Sequence, residues 1–154
     1  MQEQVQFSVF LINKPGVLAS VTGALAKARV NIMALTLMDS TEHGVLRIVC
    51  ENADLAREVL SKAHDRWTET EVLAIELSNE PGAFAHVARE LSEAHINISY
   101  AYVTGGAGDG RTNAVFKVAD MKKAAKVLAE SHKKSTGKDK KAARTVKRPG
   151  GRRG

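Results

Sequence analysis

The sequence has little cysteine and no long apolar run, and both shortages exclude classes of protein. Cys50 is the only cysteine among 154 residues, which excludes an internal disulfide and a cysteine-based zinc site. The apolar runs are a few residues long, whereas a membrane-spanning helix needs about 18. The first residues, Met-Gln-Glu-Gln, lack the basic flank of a secretory signal. We therefore expect a soluble, cytoplasmic protein.

Positive charge is concentrated at the C-terminus. Residues 1–130 carry 13 Lys and Arg against 16 Asp and Glu, whereas residues 131–154 carry 10 against one. The formal net charge of +6 therefore joins a mildly acidic body to a short basic tail. The tail is almost free of apolar residues and has no aromatic residue, so we expect residues 132–154 to be disordered. Such a tail either attracts nucleic-acid phosphates without sequence preference or only improves solubility.

The body is an internal repeat. Asn13-Lys14-Pro15-Gly16 recurs 66 residues later as Asn79-Glu80-Pro81-Gly82. The same offset relates further matching positions: Val21 and Val87, Leu25 and Leu91, Ala28 and Ala94, and Asn31-Ile32 and Asn97-Ile98. After a longer glycine-rich connection in the second copy, the offset becomes 68 and relates Val59-Leu60 to Val127-Leu128. Two copies of one structural unit therefore follow each other.

Each copy has the same hydrophobic periodicity. A short β-type run, 6–12 or 73–77, precedes the Pro-Gly element, and apolar residues at helical spacing follow it. A second strand begins at the Asn-Ile pair, an alternating third strand follows, and second helices are predicted near 53–64 and 120–131. Residues 67–70 supply a fourth strand that runs directly into the next copy. This split βαβ arrangement predicts a four-stranded antiparallel sheet with both helices on one face.

The βαββαβ order, the Asn-x-Pro-Gly connection into the first helix and the Asn-Ile at the second strand together resemble the ACT domain. The resemblance covers residues 4–130, and the chain looks like a tandem ACT protein without an attached enzyme. It implies an α+β fold of two tandem ferredoxin-like repeats, over residues 1–70 and 71–131. One departure is that no alternating apolar segment follows Ala129. The second copy therefore lacks its fourth strand or takes one from elsewhere.

The Asn-x-Pro-Gly loops are the predicted ligand sites. Helix N-termini present unpaired N–H groups to anions, and asparagine adds a donor and an acceptor, which suits the carboxylate and ammonium of an amino acid. The ACT resemblance implies the same ligand class, held where one domain's loop meets a neighbour's second strand. The predicted ligand-binding residues are Asn13, Pro15, Gly16, Val17, Leu18, Asn31 and Ile32 in the first copy, and Asn79, Pro81, Gly82, Ala83, Phe84, Asn97 and Ile98 in the second. The alternative is that Asn-x-Pro-Gly is only a strand-to-helix turn.

The sequence offers no catalytic or metal-binding constellation. The five histidines are scattered, no Ser/His/acid set can be assigned, and Cys50 alternates with apolar residues as a core thiol does. The glycine-rich segment 105–110 lacks the spacing of a nucleotide-binding loop and predicts a hairpin connection. We therefore expect a non-catalytic, amino-acid-binding regulatory protein without cofactor or metal. Its expected partner is a second copy of itself, and the ACT resemblance implies an enzyme of amino-acid metabolism as a further one; the alternative is a dimeric scaffold whose tail binds nucleic acid.

Overall fold

The computed structural model describes residues 1–38, 43–64, 66–104 and 110–131. The elements follow one another as β1 (Gln2–Ile12), α1 (Val17–Lys27), β2 (Ile32–Met38), β3 (His43–Cys50), α2 (Ala53–Ala63), β4 (Trp67–Ser78), α3 (Ala83–Glu93), β5 (Ile98–Thr104) and β6 (Arg111–Val118). A fourth helix, α4, covers 121–131. The predicted disordered tail, 132–154, lies outside the described residues. Among the residues that are described, no helix has the length and apolarity to cross a membrane.

The strands form one six-stranded antiparallel sheet in the order β2-β3-β1-β4-β6-β5. All helices lie on one face of it. Along the continuous strand β4, the side chains of Glu69 and Leu73 point to the same face of the sheet. Glu69 contacts Arg57 of α2, and Leu73 lies in the core under α3 and α4. Two hydrophobic cores therefore lie side by side, one under each helix pair. The predicted α+β fold with tandem ferredoxin-like repeats is confirmed.

The two copies share their central strands. β1 pairs with β4, and Val5 lies opposite Glu71, its own equivalent at the offset of 66. The pair is therefore the centre of a pseudo-twofold arrangement. Gln2–Val5 pair with residues 71–74 and occupy the edge of β4 where a fourth strand of the second copy is expected. The boundary that we predict between residues 70 and 71 falls inside β4, because this strand closes one copy and opens the next.

The first helix of each copy ends in the same way. Val30 N–H donates to the Leu25 carbonyl and Arg29 N–H to the Ala26 carbonyl, both at 2.9 Å, which is a Schellman motif. The second copy repeats both bonds from Ile96 and His95. Arg29 and His95 accordingly have positive φ angles of 57° and 55°. This turn places Asn31 and Asn97 directly before the second strands, as predicted.

The face of the sheet opposite the helices joins the two copies. The edge strands β2 and β5 approach each other, so the sheet curls around a small cluster of Ala34, Val49, Val72, Val115 and Tyr102. Gln6 is fully buried there; its amide donates to Tyr100 Oη at 2.7 Å and accepts from Tyr102 Oη at 3.1 Å. Arg47 lies 3.8 Å from the centre of the Tyr100 ring. Burial raises the pKa of Tyr102 well above its usual range, which keeps the hydroxyl a hydrogen-bond donor.

Candidate functional site

The Asn-x-Pro-Gly element is a type II β-turn in both copies. Val17 N–H donates to the Lys14 carbonyl at 3.4 Å, and Ala83 N–H to the Glu80 carbonyl at 3.3 Å. Proline occupies the second position of this turn, and glycine the third with φ of 87° at Gly16 and 91° at Gly82. Only glycine adopts that backbone without strain. The β-turn therefore accounts for the Asn-x-Pro-Gly motif as local structure, and α1 and α3 begin directly after it.

The helices differ in how their N-termini are satisfied. α2 is capped by the Asn52 side chain, which accepts from Leu55 N–H at 3.0 Å, and α4 by Asp120, which accepts from Lys123 N–H at 2.9 Å. α1 and α3 begin at Gly16 and Gly82 without a side-chain cap. The N-termini that follow the two Asn-x-Pro-Gly turns therefore receive no side-chain oxygen, and their positive dipole end favours an external anion.

A pocket of about 260 Å³ opens beside the turn of the first copy. It lies between the end of β1, the start of α1 and the β2–β3 end of the sheet, and its lining is Leu11, Ile12, Asn13, Lys14, Val17, Leu18, Leu37, Met38 and Gly44. Among the lining residues that the structure describes, the walls are aliphatic and the polar side chains belong to the turn. At Gly44 a β-carbon would lie 3.4 Å from Leu37 Cδ1, so the glycine keeps this end of the pocket open. Asn13, Val17 and Leu18 are the predicted site residues that line it.

The equivalent of Leu18 in the second copy packs as part of an aromatic pair. Phe84, the equivalent of Leu18, lies with its ring stacked on the ring of Phe116, the centroids 5.1 Å apart and the planes inclined by 20°. Phe116 is fully buried. The turn itself carries Glu80 where the first copy has Lys14. The two loops have one backbone geometry but different side chains and opposite charges.

The predicted residues at the start of the second strands lie at the other end of the sheet. α1 has 11 residues and therefore separates Gly16 from Asn31 by about 16 Å. The carbonyls of Asn31 and Asn97 accept from Glu51 and Ala119 N–H, each at 3.0 Å, which anchors the strands locally. None of the pockets in the described part of the chain combines a turn with Asn31, Ile32, Asn97 or Ile98. These residues meet a turn only if a neighbouring chain supplies them.

Six residues of the pocket escaped the sequence analysis: Leu11, Ile12 and Lys14 next to the predicted residues, and Leu37, Met38 and Gly44 far from them in the chain. The last three lie 20 or more positions after the turn and reach it through the pairing of β1 with β3 and of β3 with β2. Leu37 and Met38 are 48% and 45% exposed, although both are large and apolar. The signal available in the sequence was the pair of large apolar residues, Leu37 and Met38, at the end of the second strand.

A second pocket of about 200 Å³ lies in the second copy, between β4, α3 and α4. There Glu90 Oε1 accepts from Ser131 Oγ and lies 3.2 Å from His86 Nε2. The carboxylate stands between the hydroxyl and the imidazole, so the histidine does not contact the serine that it would have to deprotonate in a catalytic triad. His86 is 63% exposed. This arrangement supports α3 against α4 and does not activate a nucleophile.

The other reactive groups are structural or dispersed. Cys50 is buried in the first core, where desolvation raises its pKa to about 11, so the thiol stays protonated at neutral pH. Among the described residues, no group of His, Cys, Asp and Glu has the proximity needed to hold a metal ion.

Comparison with known proteins identifies the fold family. The family model for the ACT domain pair matches residues 3–144. A crystal structure of a protein from Bacteroides thetaiotaomicron is 35% identical, covers 84% of this chain and 89% of its own, and superposes with a TM-score of 0.77. No curated protein gives a significant match.

More distant structures share the fold. The regulatory subunit of aspartate kinase from Thermus thermophilus, in its ligand-free form, has a TM-score of 0.61 at 14% identity, covering 86% of this chain and 93% of its own. A structure of aspartokinase alpha and beta subunits has a TM-score of 0.57 at 20% identity, covering 84% and 93%. With the family match over nearly the whole described body, these similarities lead to one conclusion: the chain belongs to the family of ACT domain pairs.

Proposed function

We propose that this ACT domain pair is a non-catalytic regulatory protein that binds a free amino acid at its Asn-x-Pro-Gly turns. The observation that carries the proposal is the contrast between helix starts. α2 and α4 are capped by their own side chains, whereas α1 and α3, which follow the turns, begin at glycine without such a cap. The carboxylate of a ligand would accept hydrogen bonds from the backbone N–H groups at the starts of α1 and α3. The asparagine at the turn provides polar groups for the ammonium.

The resemblance to regulatory subunits of aspartate kinase supports a regulatory role, since those structures share this fold. In a regulatory protein the ligand acts by binding one arrangement of domains more tightly than another. The partner whose activity would change is, in this proposal, an enzyme of amino-acid metabolism, and the site of action is the cytoplasm.

A second copy of the chain is the proposed cover of the first pocket. Ile12, Leu37 and Met38 line the pocket and are about half exposed, at 53%, 48% and 45%. An apolar rim of this kind is stabilised when another surface excludes water from it. The neighbour would contribute the start of a second strand, Asn31-Ile32 or Asn97-Ile98, which the single chain keeps away from the turns. A homodimer therefore completes the site.

The first experiment is a thermal-shift screen of the twenty amino acids, followed by calorimetry on each positive. An amino acid present at about 100 times its dissociation constant adds roughly 2.7 kcal/mol to the stability, which raises the melting temperature by several degrees. Asn13→Ala should weaken binding more than about tenfold. Asn52→Ala is the matched control, because it changes the same residue type at a helix start remote from the pocket. A folded protein that no amino acid stabilises would refute the proposed function.

The oligomeric state is tested separately by sedimentation equilibrium with and without the stabilising amino acid. We expect a dimer that dissociates at lower concentration when the amino acid is present, and a shift to monomer in Leu37→Asp. A monomer that binds the amino acid at full affinity would contradict the role of the second copy while leaving amino-acid binding intact.

A further inference from the structure

We infer that only the first copy binds the ligand, that this ligand is an amino acid with an aliphatic side chain, and that Phe84 and Glu80 close the second site. The inference rests on the proposed function and makes it more specific. The repeat predicts two equivalent sites, because the turns match in sequence and backbone. The side chains around the two turns are not equivalent, and two differences between them point in one direction.

The first difference is the charge in the turn. Lys14 lines the pocket beside the uncapped start of α1, so a cation and the helix dipole both favour a carboxylate there. Glu80 occupies the same position before α3. A glutamate at that place repels a second carboxylate. The ligand carboxylate is therefore attracted in the first copy and repelled in the second.

The second difference is the distribution of volume under the turn. The first copy has Leu18 and Ile48 with large neighbours Leu35 and Leu46 on the adjoining strands. The equivalent residues in the second copy are Phe84 and Phe116, with alanines at the equivalents of Leu35 and Leu46, Ala101 and Ala114. The rings of Phe84 and Phe116 stack on each other. The larger Phe84 ring therefore stands where the first copy has Leu18, a residue that lines its pocket.

The lining of the first pocket indicates which ligand the pocket accepts. Its side walls come from Leu11, Val17, Leu18, Leu37 and Met38, and among the lining residues that the structure describes, Lys14 at the turn carries the charge. Against these aliphatic walls a charged or amide side chain loses hydration, which costs free energy, whereas an aliphatic side chain gains free energy. A volume of about 260 Å³ lies just below the range of drug-sized sites, roughly 300–1,000 Å³, and suits one small amino acid.

The test is isothermal titration of the full chain with L-leucine, L-isoleucine, L-valine, L-lysine and L-aspartate. We expect one aliphatic amino acid bound per chain, and no saturable heat with lysine or aspartate. Leu18→Phe, which copies the second site into the first, should weaken binding more than about tenfold. Lys14→Glu should do the same at an exposed position where folding is not at risk. The matched controls Phe84→Leu and Glu80→Ala should retain the affinity for the first ligand.

Each result separates this inference from the proposed function. Two molecules bound per chain, or tight binding of lysine or aspartate, overturns the inference while amino-acid binding stands. Equal loss in Leu18→Phe and Phe84→Leu also overturns it, because the two copies would then contribute alike. If none of the twenty amino acids binds, the proposed function fails and the inference falls with it.

Discussion

The two copies have the same backbone geometry in their turns, first helices and second strands, but different side chains around their turns. Both have a type II turn with a left-handed glycine, a first helix closed by a Schellman motif, and a shift of strand register after the first residue of the second strand. The first copy keeps an aliphatic pocket at its turn, whereas the second stacks Phe84 on Phe116 there. The backbone geometry is a requirement of folding, and so it is duplicated. The side chains around the turn are not needed for that backbone geometry, and they differ between the copies.

The copies also differ in how their sheets are completed. In the first copy, residues 67–70 of β4 cover the edge of β1, and Trp67 packs edge to face on Phe7, with centroids 5.7 Å apart. In the second copy, β1 covers β4 only up to Ala74, and the pocket between β4, α3 and α4 lies beyond it. Because each central strand belongs to both copies, neither copy has a sheet of its own.

The largest effect is expected from removing a buried ring in either core. Phe7→Ala and Phe116→Ala should each cost about 3–5 kcal/mol, because both rings are fully buried. Since β1 and β4 are shared, Phe116→Ala in the second copy should also lower the denaturation midpoint reported by Trp67 fluorescence in the first. Phe10→Ala, at a ring that is 40% exposed, is the control and should cost less than half as much. A Trp67 midpoint unchanged in Phe116→Ala would mean that the copies unfold independently.

A smaller and equal effect is expected at the two turn glycines. Gly16→Ala and Gly82→Ala should each lose about 1–2 kcal/mol, because an added β-carbon meets no atom within 4 Å and only the positive φ opposes it. Gly23→Ala in the middle of α1 is the control, since the same change in a helix should stabilise by about 0.5–1 kcal/mol. Urea denaturation measures all three. A clearly larger loss at one turn would show that the copies differ in backbone as well as in side chains.

The next largest loss of stability is expected from removing the side-chain caps of α2 and α4. Asn52→Ala and Asp120→Ala should each cost about 1 kcal/mol, because each side chain accepts from a backbone N–H at a helix start. The equivalent starts of α1 and α3 have no such bond to lose. Asn52→Asp should retain most of the stability in the same denaturation experiment. A negligible loss in both alanine variants would remove the contrast on which the proposed function rests.

The smallest effect is expected from an ion pair that the first copy has and the second lacks. Arg57 donates to both carboxylate oxygens of Glu69, at 2.5 and 2.9 Å, and the equivalent of Arg57 is Ala125. The hydrogen bond from Arg57 lowers the pKa of Glu69 below its usual 4.5. A lowered pKa in the folded state stabilises above the unfolded pKa, and this stabilisation disappears as the pH falls through the folded value.

Glu69→Gln should therefore be slightly less stable than the unchanged chain near pH 7, by less than the loss of a helix cap, because exposed ion pairs contribute little. The two stability curves should converge below about pH 4. Glu93→Gln, at an exposed residue of α3, is the control and should run parallel to the unchanged chain. A constant difference from pH 7 to pH 3 would show that packing of the Glu69 side chain, and not its charge, is responsible.

Local chemistry explains why much of this molecule could be predicted from its sequence. Proline followed by glycine sets the turn at 14–17 and at 80–83, and the helical spacing of Val21 and Leu25 selects the face of α1 that the sheet buries. Alternation placed Leu46, Ile48 and Cys50 on one side of β3, and all three are buried in the first core. Turn type, helical period and strand alternation depend on neighbours a few residues away, and each copy of the repeat contains these local patterns independently.

The repeat, the element order and the position of both turns follow from the sequence, because short-range sterics and periodicity encode them, and the motifs add the resemblance to the ACT domain. Tertiary packing sets the pairing of β1 with β4 at Val5 and Glu71, which merges two sheets into one. It also brings Leu37 and Gly44 to the first turn and Gln6 to two tyrosines of the other copy. Those contacts join residues far apart in the chain. They depend on the curl of the whole sheet and on complementary side-chain volumes, and neither property can be read from the periodicity of the sequence.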